Sequence, residues 1–336
     1  MNIDLKALIP IQIWEPFGTE VVKAQIDSLS ELAVLEPTCN FDVLGSHKLK
    51  IRYLGCDGEM PAYGRYLPYK ENRSPAIKYH LVEFDVCIVF DEDHINEQLN
   101  AFPEKERIPV AKSTCSHNIC TLISNILAVA NLARPGLLPA GEGGVFADGI
   151  IFRGTDSNYN NLMNAYETSA KNNWPPIGMG SIKKTWNWCN RIPGFAEGIG
   201  ETPCGRAIAA FSYLFKPSIV LYTNMDIVWA LLGLESIYCR GNIGMQHQLH
   251  GKIEAFLGKR KDNKKAIGRM YDFRSRFIHG DVTFPFQYSQ YDEYPKFEGA
   301  RDTATDEAVA LLISSLQKMI DKDILELDFE YICSKE

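Results

Sequence analysis

The sequence predicts an α+β protein whose first part mixes helices with strands and whose second part is a bundle of helices. Residues 79–90 are rich in β-branched and aromatic side chains, as expected of a strand. After Thr185, apolar residues recur at helical spacing between short turns. We therefore predict an N-terminal mixed α/β domain over residues 1–184 and a C-terminal all-α domain over residues 185–336.

Two strands and one helix are predicted in the N-terminal domain. Residues 48–54 alternate apolar and polar side chains, which indicates a strand, and a connection rich in glycine, proline and tyrosine leads to the strand at 79–90. A helix is predicted over residues 118–132. It should end there, because the Arg-Pro-Gly segment at 134–136 is a typical helix stop. The acidic run at 91–97 is interpreted as a polar loop.

The C-terminal domain is predicted to contain a series of helices. One of them is apolar except for a single acid, Glu235, so it should lie at the centre of the bundle, with Asp226 as its N-cap. A later helix should end at Gly280, because glycine just after the last periodic residue is a common helix stop. The predicted helices span residues 206–215, 227–238, 245–257, 265–279 and 306–321, and a loop rich in proline and tyrosine is predicted over 282–295.

Composition excludes several classes of protein. The chain has 336 residues, of which 46% are hydrophobic and 23% charged, and can therefore bury a sizeable core. The sequence has neither an apolar run long enough to cross a membrane nor the start of a secretory signal. We expect a cytoplasmic protein without membrane contact. Its nine scattered cysteines include no Cys-x-x-Cys pair, which favours buried thiols over disulfides or a zinc ribbon.

The most informative feature is an arginine and a histidine, Arg274 and His279, at the end of the helix predicted over 265–279. Arg274 shares a helical stripe with Met270 and Tyr271, so its guanidinium should be partly buried and should need an acidic partner. An offset of five residues is about 140° around a helix. The two side chains therefore meet only if Arg274 reaches along the groove, or if a second copy of the chain supplies the facing half.

A basic segment lies beside this pair in the sequence. Residues 252–276 contain nine basic and three acidic residues, although the whole chain has a formal net charge of −7. Such a patch is typical of a contact with a phosphate backbone, while a solvated loop is the alternative. The residues expected to contact RNA are Lys259, Arg260, Lys261, Lys264, Lys265 and Arg269.

Four segments in a fixed order resemble the Apea-like branch of the HEPN superfamily, over about residues 185–321. They are Trp186-x-Trp188, Arg206-Ala-x-x-Ala-Phe-Ser-Tyr-Leu-Phe215, Trp229-Ala-Leu-x-x-Leu-Glu235 and Met270-Tyr-Asp-Phe-Arg274-Ser-Arg-Phe-Ile-His279-Gly280. The resemblance implies an all-α HEPN bundle. It also implies a metal-independent endoribonuclease of toxin or anti-phage systems, with one composite Arg-x4-His site across a homodimer. Arg274 and His279 would be catalytic, with Ser275, Arg276 and Glu235 in support.

Such a site would cleave RNA, possibly including transfer RNA, because a 2′-hydroxyl can attack its own phosphate without a metal. His279 would transfer protons and Arg274 would stabilise the charged phosphate, so no cofactor is expected. An antitoxin or other defence-system partner would control the activity, and residues 1–184 would sense, dock substrate or regulate. The alternatives are an Arg274–Glu235 pair of structural importance only, an RNA- or nucleotide-binding module without cleavage, and a dimerising scaffold.

Overall fold

The chain is a mixed α+β protein, as predicted, and it forms two compact units. The computed structural model describes residues 2–13, 19–35, 37, 46–57, 79–89, 92–140, 143–147, 150–155, 160–215, 225–241, 244–260, 263–282 and 295–330. One unit comprises residues 1–159 and 216–220, and the other comprises residues 160–215 and 221–336. The main division therefore falls between residues 159 and 160, earlier in the chain than the predicted domain boundary at 184–185.

The first unit contains a five-stranded sheet in the order β2-β3-β1-β4-β5, and each described pair of neighbours is antiparallel. Both predicted strands are confirmed, as β2 and β3, and the sequence patterns did not indicate the other three. The strands are β1 (Asn2–Gln12), β2 (Ser46–Asp57), β3 (Tyr79–Val89), β4 (Gly143–Ala147) and β5 (Ile150–Thr155).

Alternation of side chains explains why this sheet forms. Val82, Phe84 and Val86 of β3 are buried on one face, opposite equally buried residues of β1. The intervening residues Glu83 and Asp85 lie on the other face, where both accept hydrogen bonds from Arg52 of β2. One face of the sheet therefore belongs to the core, and the other carries an ion-paired network.

Three helices accompany the sheet: α1 (Thr19–Ala33), α2 (Glu92–Gln98) and α3 (Glu104–Ala133). The predicted polar loop at 91–97 was wrong, because most of it forms α2. The predicted helix is confirmed but begins earlier, at Glu104. Among the described helices, α3 alone is long and apolar enough to cross a membrane, and 67% of its apolar window is buried within the protein. Helix α3 packs on β4 and β5, so its apolar composition is that of a core helix.

Every secondary-structure element described in the second unit is a helix. The predicted helices are confirmed as α6 to α10, with α10 beginning eleven residues before its predicted start. The predicted loop over 282–295 lies mainly outside the described residues. The helices are α4 (Asn160–Asn172), α5 (Ile182–Cys189), α6 (Pro203–Ser212), α7 (Asp226–Tyr238), α8 (Met245–Leu257), α9 (Asn263–Ile278) and α10 (Pro295–Lys322).

Helices α7 and α10 form the centre of this unit. A Cβ atom at Gly233 would lie 2.9 Å from both methyl carbons of Leu312, so a larger residue there would require the Leu312 side chain to shift. The hydroxyl groups of Tyr238 and Ser315 lie 2.8 Å apart and link the helices further. The predicted N-cap was wrong, because Met225 is the N-cap and the buried Asp226 is the first helical residue. At that position the positive end of the helix dipole stabilises the Asp226 carboxylate.

Candidate functional site

Helix α9 places His279 at its end with an exposed side chain. The His279 N–H donates to Ser275 O at 3.0 Å, so helical hydrogen bonding continues to this residue. Gly280 then takes a left-handed backbone with φ of 76°. This conformation allows the N–H groups of Gly280 and Asp281 to donate to the last helical carbonyls, at 3.2 and 2.7 Å. The glycine stop predicted from the sequence is confirmed.

Arg274 lies about 1.4 turns before His279 and contacts a buried carboxylate. Its Nη1 donates to Glu235 Oε1 at 3.1 Å. The Arg274 side chain is 33% exposed, whereas that of Glu235 is 7% exposed. The expected acidic partner is therefore present, and it comes from the central helix α7. Because Arg274 keeps part of its surface in solvent, the contact holds the guanidinium without enclosing it.

Tyr271 completes this cluster, and the sequence patterns did not mark it as a site residue. Its hydroxyl donates to the same Glu235 Oε1 at 2.8 Å, and the Arg274 guanidinium lies over its ring, with Cζ 5.9 Å from the centroid. Burial raises the pKa of Tyr271, and the hydrogen bond to Glu235 raises it further, so the phenol stays protonated and remains a donor. The available signal was the spacing of three between Tyr271 and Arg274 on one helical stripe.

A thiol lies near the same carboxylate. Burial, followed by the charge of Glu235, raises the pKa of Cys239 to about 11. The thiol is therefore protonated at neutral pH and is a poor nucleophile. Burial likewise raises the pKa of Cys204 to about 12. These two groups fit the predicted role of buried core thiols.

The predicted RNA-binding residues divide into two groups. Lys259, Lys264 and Lys265 are exposed, whereas Arg260 and Arg269 both approach one buried carboxylate, that of Glu307 on α10. Arg269 Nη2 contacts the two oxygens of Glu307 at 2.7 and 2.8 Å, and Arg260 Nη1 lies 3.7 Å from Oε1. The two arginines therefore link the basic segment to α10. The sixth predicted residue, Lys261, lies outside the described residues.

The two other supporting residues are both exposed on α9. Arg276 Nη1 lies 3.7 Å from Asp272 Oδ2, in an ion pair between successive turns. Such exposed pairs contribute little to stability, so Arg276 can exchange this partner for another anion. Ser275 has an exposed side chain, and its carbonyl accepts the hydrogen bond from His279. Both residues lie between Arg274 and His279 in the chain, at the end of the helix where the histidine is exposed.

The acid next to Glu307 has an unusual protonation equilibrium. Burial, and then the negative charges of Asp302, Glu167 and Glu307, raise the pKa of Asp306 to about 7. Its Oδ1 is buried and has no hydrogen-bond partner among the described residues. Asp306 therefore changes charge near neutral pH, within the helical unit.

Two further histidines have the spacing of metal ligands, although the sequence favours a solvated helix face for them. His247 is exposed, and His250 Nε2 lies 3.5 Å from Glu254 Oε1 on the same helix, α8. Within the described part of the chain, no cluster of three or more histidine, cysteine, aspartate or glutamate side chains has the arrangement of a metal site.

Comparison with family models, curated proteins and solved structures gives no match to this chain. The relation to the HEPN superfamily therefore stays a prediction from the sequence motifs. The geometry of α9 is independent of that relation. It presents an exposed imidazole and a partly exposed guanidinium at one end of one helix, whereas the exposed Lys264 and Lys265 lie in the first turn, at its other end.

Proposed function

We propose that the chain is a metal-independent endoribonuclease whose helical unit is an Apea-like HEPN domain. One observation supports this most directly: α9 ends in the exposed His279, about 1.4 turns after an arginine that the buried Glu235 holds in place. A histidine titrates near neutral pH and can both accept and donate a proton. A guanidinium can stabilise the negative charge that develops on a phosphate.

The proposed reaction is an internal attack within RNA. His279 takes the proton of a 2′-hydroxyl, and the 2′-oxygen forms a bond to the adjacent phosphorus. The bond from phosphorus to the 5′-oxygen breaks, and that oxygen takes a proton from a second acid. The products are a 2′,3′-cyclic phosphate and a 5′-hydroxyl, and no water or metal is consumed. Arg274 contacts the non-bridging oxygens, where negative charge increases in the transition state.

Glu235 and Tyr271 act as positioning residues in this scheme. The Tyr271 phenol and the Arg274 guanidinium both donate to one oxygen of Glu235, so the carboxylate joins the two side chains of α9. A side chain as long as arginine loses much conformational freedom when it binds a phosphate. Holding Arg274 against α7 before substrate arrives reduces that loss.

A homodimer would supply the second acid. Between Arg274 and His279 the helix rises about 7.5 Å and rotates about 140°. One copy of the chain therefore directs its arginine and histidine to different sides of α9. If two copies place the ends of their α9 helices together, one imidazole can take a proton while the other gives one.

We propose a cytoplasmic toxin or anti-phage defence system as the biological setting, as the family resemblance implies. RNA of the host, with transfer RNA as one candidate, would be the substrate. An antitoxin or another component of the system would restrain the activity. The unit with the β-sheet would sense the signal or dock the substrate.

Incubation of the purified full chain with total RNA in excess chelator tests this proposal. We expect fragments with 2′,3′-cyclic phosphate and 5′-hydroxyl ends, at the same rate with and without the chelator. Intact RNA, or cleavage that stops when the chelator is added, would contradict it. The chain's sedimentation should also show a dimer under the conditions in which it cleaves.

The second candidate is a module that binds RNA without cutting it. The exposed Lys259, Lys264 and Lys265 favour it, because they can contact phosphates without any catalytic geometry. This candidate predicts salt-sensitive binding of RNA and no fragments in the same incubation. If the chain neither binds nor cuts RNA, the dimerising scaffold is the remaining hypothesis.

A further inference from the structure

A groove in the helical unit lies away from the residues of the proposed catalytic pair. Its volume is about 470 Å³, and it lies between α5 and the end of α10. Three of its lining side chains are cationic: Lys183, Lys184 and Arg191. Asp323 is the single acid among the lining residues. The sequence patterns assigned no function to this surface.

The groove is elongated along α5. Lys183, Asn187 and Arg191 follow one another at intervals of four residues, so they lie on one side of the helix over about 12 Å. Arg191 lies two residues after the end of α5, in a turn where its N–H donates to Trp188 O at 3.1 Å, and its side chain lines the same groove. Trp188 forms part of the base of the groove and is fixed there, since its Nε1 donates to Ile324 O at 3.1 Å. A row of this length matches an extended anion better than a single compact one.

Two acids at the end of α10 contact the cations of this groove. Arg191 contacts both oxygens of Asp323, at 2.6 and 3.2 Å, and Lys184 Nζ lies 3.0 Å from Asp321 Oδ1. All four side chains are more than 45% exposed. Exposed pairs of this kind contribute little to stability. The cations can therefore exchange these carboxylates for another anion at small cost.

Asp323 places its charge unfavourably in the fold. Its φ is 58°, a left-handed backbone that favours glycine and that asparagine and aspartate tolerate, and it follows the last residue of α10. A negative charge there also opposes the negative end of the helix dipole. Stability alone would favour glycine at this position. The carboxylate is nonetheless held in the fork of the Arg191 guanidinium, in the geometry with which arginine binds phosphate.

We propose that this groove binds the phosphodiester backbone of a single-stranded RNA, and that Asp323 occupies the phosphate position of Arg191 until RNA displaces it. The proposal rests on the proposed function, because it makes this groove a second RNA contact of the same unit. Lys183 and Lys184 bind the strand electrostatically, and Arg191 makes a bidentate contact with one phosphate. Asp323 lowers the affinity, so RNA must compete with a carboxylate of the chain itself.

Binding of a short fluorescent single-stranded RNA to the full chain tests the groove. All variants carry His279→Ala, so that cleavage does not consume the probe, and affinity is measured by anisotropy over a range of salt concentrations. We expect Lys183→Ala/Arg191→Ala to weaken binding roughly tenfold and to reduce the slope of log K against log salt by about 0.7 for each phosphate that the variant no longer neutralises. Lys171→Ala/Arg206→Ala is the matched control, because it removes two exposed cations of the same unit that do not line the groove.

The Asp323→Asn substitution gives the opposite expectation. Asparagine tolerates the left-handed backbone but carries no charge, so RNA binding should tighten about threefold without a change in fold. An unchanged affinity in Asp323→Asn would overturn the role of Asp323 as a competitor. Equal effects of the groove and control substitutions would overturn the groove itself.

The remaining outcomes separate this proposal from the nuclease proposal. Groove-dependent binding by a wild-type chain that cuts no RNA would refute the nuclease and support the groove. Cleavage by a wild-type chain whose groove variants bind RNA normally would support the nuclease and overturn the groove. Failure of the His279→Ala chain to bind RNA would overturn the groove. Displacement of the RNA by an equal concentration of adenosine monophosphate would assign the groove to a free nucleotide and overturn the polynucleotide proposal.

Discussion

Two arginines of α9 contact buried glutamates in different ways. Arg269 reaches both oxygens of Glu307, at 2.7 and 2.8 Å, and its side chain is 48% exposed. Arg274 makes one contact with Glu235, at 3.1 Å, and shares that oxygen with Tyr271. Both glutamate side chains are 7% exposed. Glu307 thus accepts hydrogen bonds from Arg269 only, among the described residues, with Arg260 Nη1 further away at 3.7 Å, whereas Glu235 has a second hydrogen-bond donor.

This difference indicates different roles. The Arg269 pair joins α9 to α10 and neutralises an acid in a cluster of negative charge, so it serves stability. The Arg274 pair orients a guanidinium that remains partly exposed and lies next to the end of the helix where His279 is found. Both residues are arginines of the same helix, and the number of donors on the partner carboxylate distinguishes them.

Within this comparison of the two arginines, the largest expected effect is on cleavage. Arg274→Ala should lower the single-turnover rate of RNA cleavage by about 100-fold to 1000-fold, as for loss of a donor that stabilises transition-state charge. Arg269→Ala, the matched control on the same helix, should lower it less than about threefold. Equal losses in the two variants would contradict the assignment of different roles.

The next effect is on stability, where Arg269→Ala should have the larger effect of the two substitutions. Arg269→Ala should reduce the free energy of unfolding by about 1–3 kcal/mol, because it leaves the buried Glu307 with only the longer contact to Arg260. Arg274→Ala should cost about 1 kcal/mol, because Tyr271 still donates to Glu235. Urea denaturation of both variants measures these values. A larger cost for Arg274→Ala would show that its pair is the structural one.

The acidic cluster around Glu307 should make stability depend on pH. The pKa of Asp306 is raised from its ordinary value of 3.8 to about 7 in the folded chain. The neutral carboxyl is therefore favoured on folding. This contribution is fully present below pH 3.8 and is lost as pH rises through about 7. Between about pH 5 and pH 8, the unfolding free energy of the wild type should fall by about 1–2 kcal/mol relative to Asp306→Asn. Parallel curves for the two proteins would contradict the raised pKa.

The smallest expected effect concerns the second donor to Glu235. Tyr271→Phe removes one hydrogen bond and keeps the ring beside Arg274, so it should cost about 0.5–1.5 kcal/mol of unfolding free energy. Cleavage should fall by less than about tenfold, since Arg274 keeps its contact with Glu235. In the Tyr271→Phe background, Arg274→Ala should become as destabilising as Arg269→Ala. Simple additivity of the two substitutions would contradict the shared carboxylate.

The sequence predicted the helical unit more completely than the unit with the sheet. Helix α8 was predicted with its observed ends, and the ends of α9 were within two residues, because their apolar spacing is regular and Gly280 marks a stop. Strand β1 was missed although its alternate residues are buried. Its first half, residues 2–7, alternates polar and apolar side chains, a strand pattern that the prediction overlooked. Its second half, residues 7–11, is a continuous apolar run with an internal proline, which predicts neither a strand nor a helix by periodicity.

The sequence predicted Arg274, His279 and Glu235 as candidate site residues, but it did not predict Tyr271 or all of the contacts. The stripe on α9 predicted a partly buried Arg274 with an acid opposite, and the structure contains both. Ile278, four residues after Arg274 on the same stripe, is 54% exposed because the helix ends there and leaves the packed core. Sequence spacing also gave no reason to separate Arg269 from the exposed lysines. Its carboxylate partner lies on α10, 38 residues further along the chain.

The central claim is that the exposed histidine at the end of α9 does chemistry and is not merely the last residue of a helix. The most direct test is the cleavage rate of His279→Ala on the RNA that the wild type cuts, with urea denaturation of both proteins. The account predicts a loss of at least about 1000-fold in rate. It also predicts a change in unfolding free energy within about 0.5 kcal/mol, since the side chain is exposed. Cleavage within about tenfold of the wild-type rate by a stably folded His279→Ala chain would contradict it.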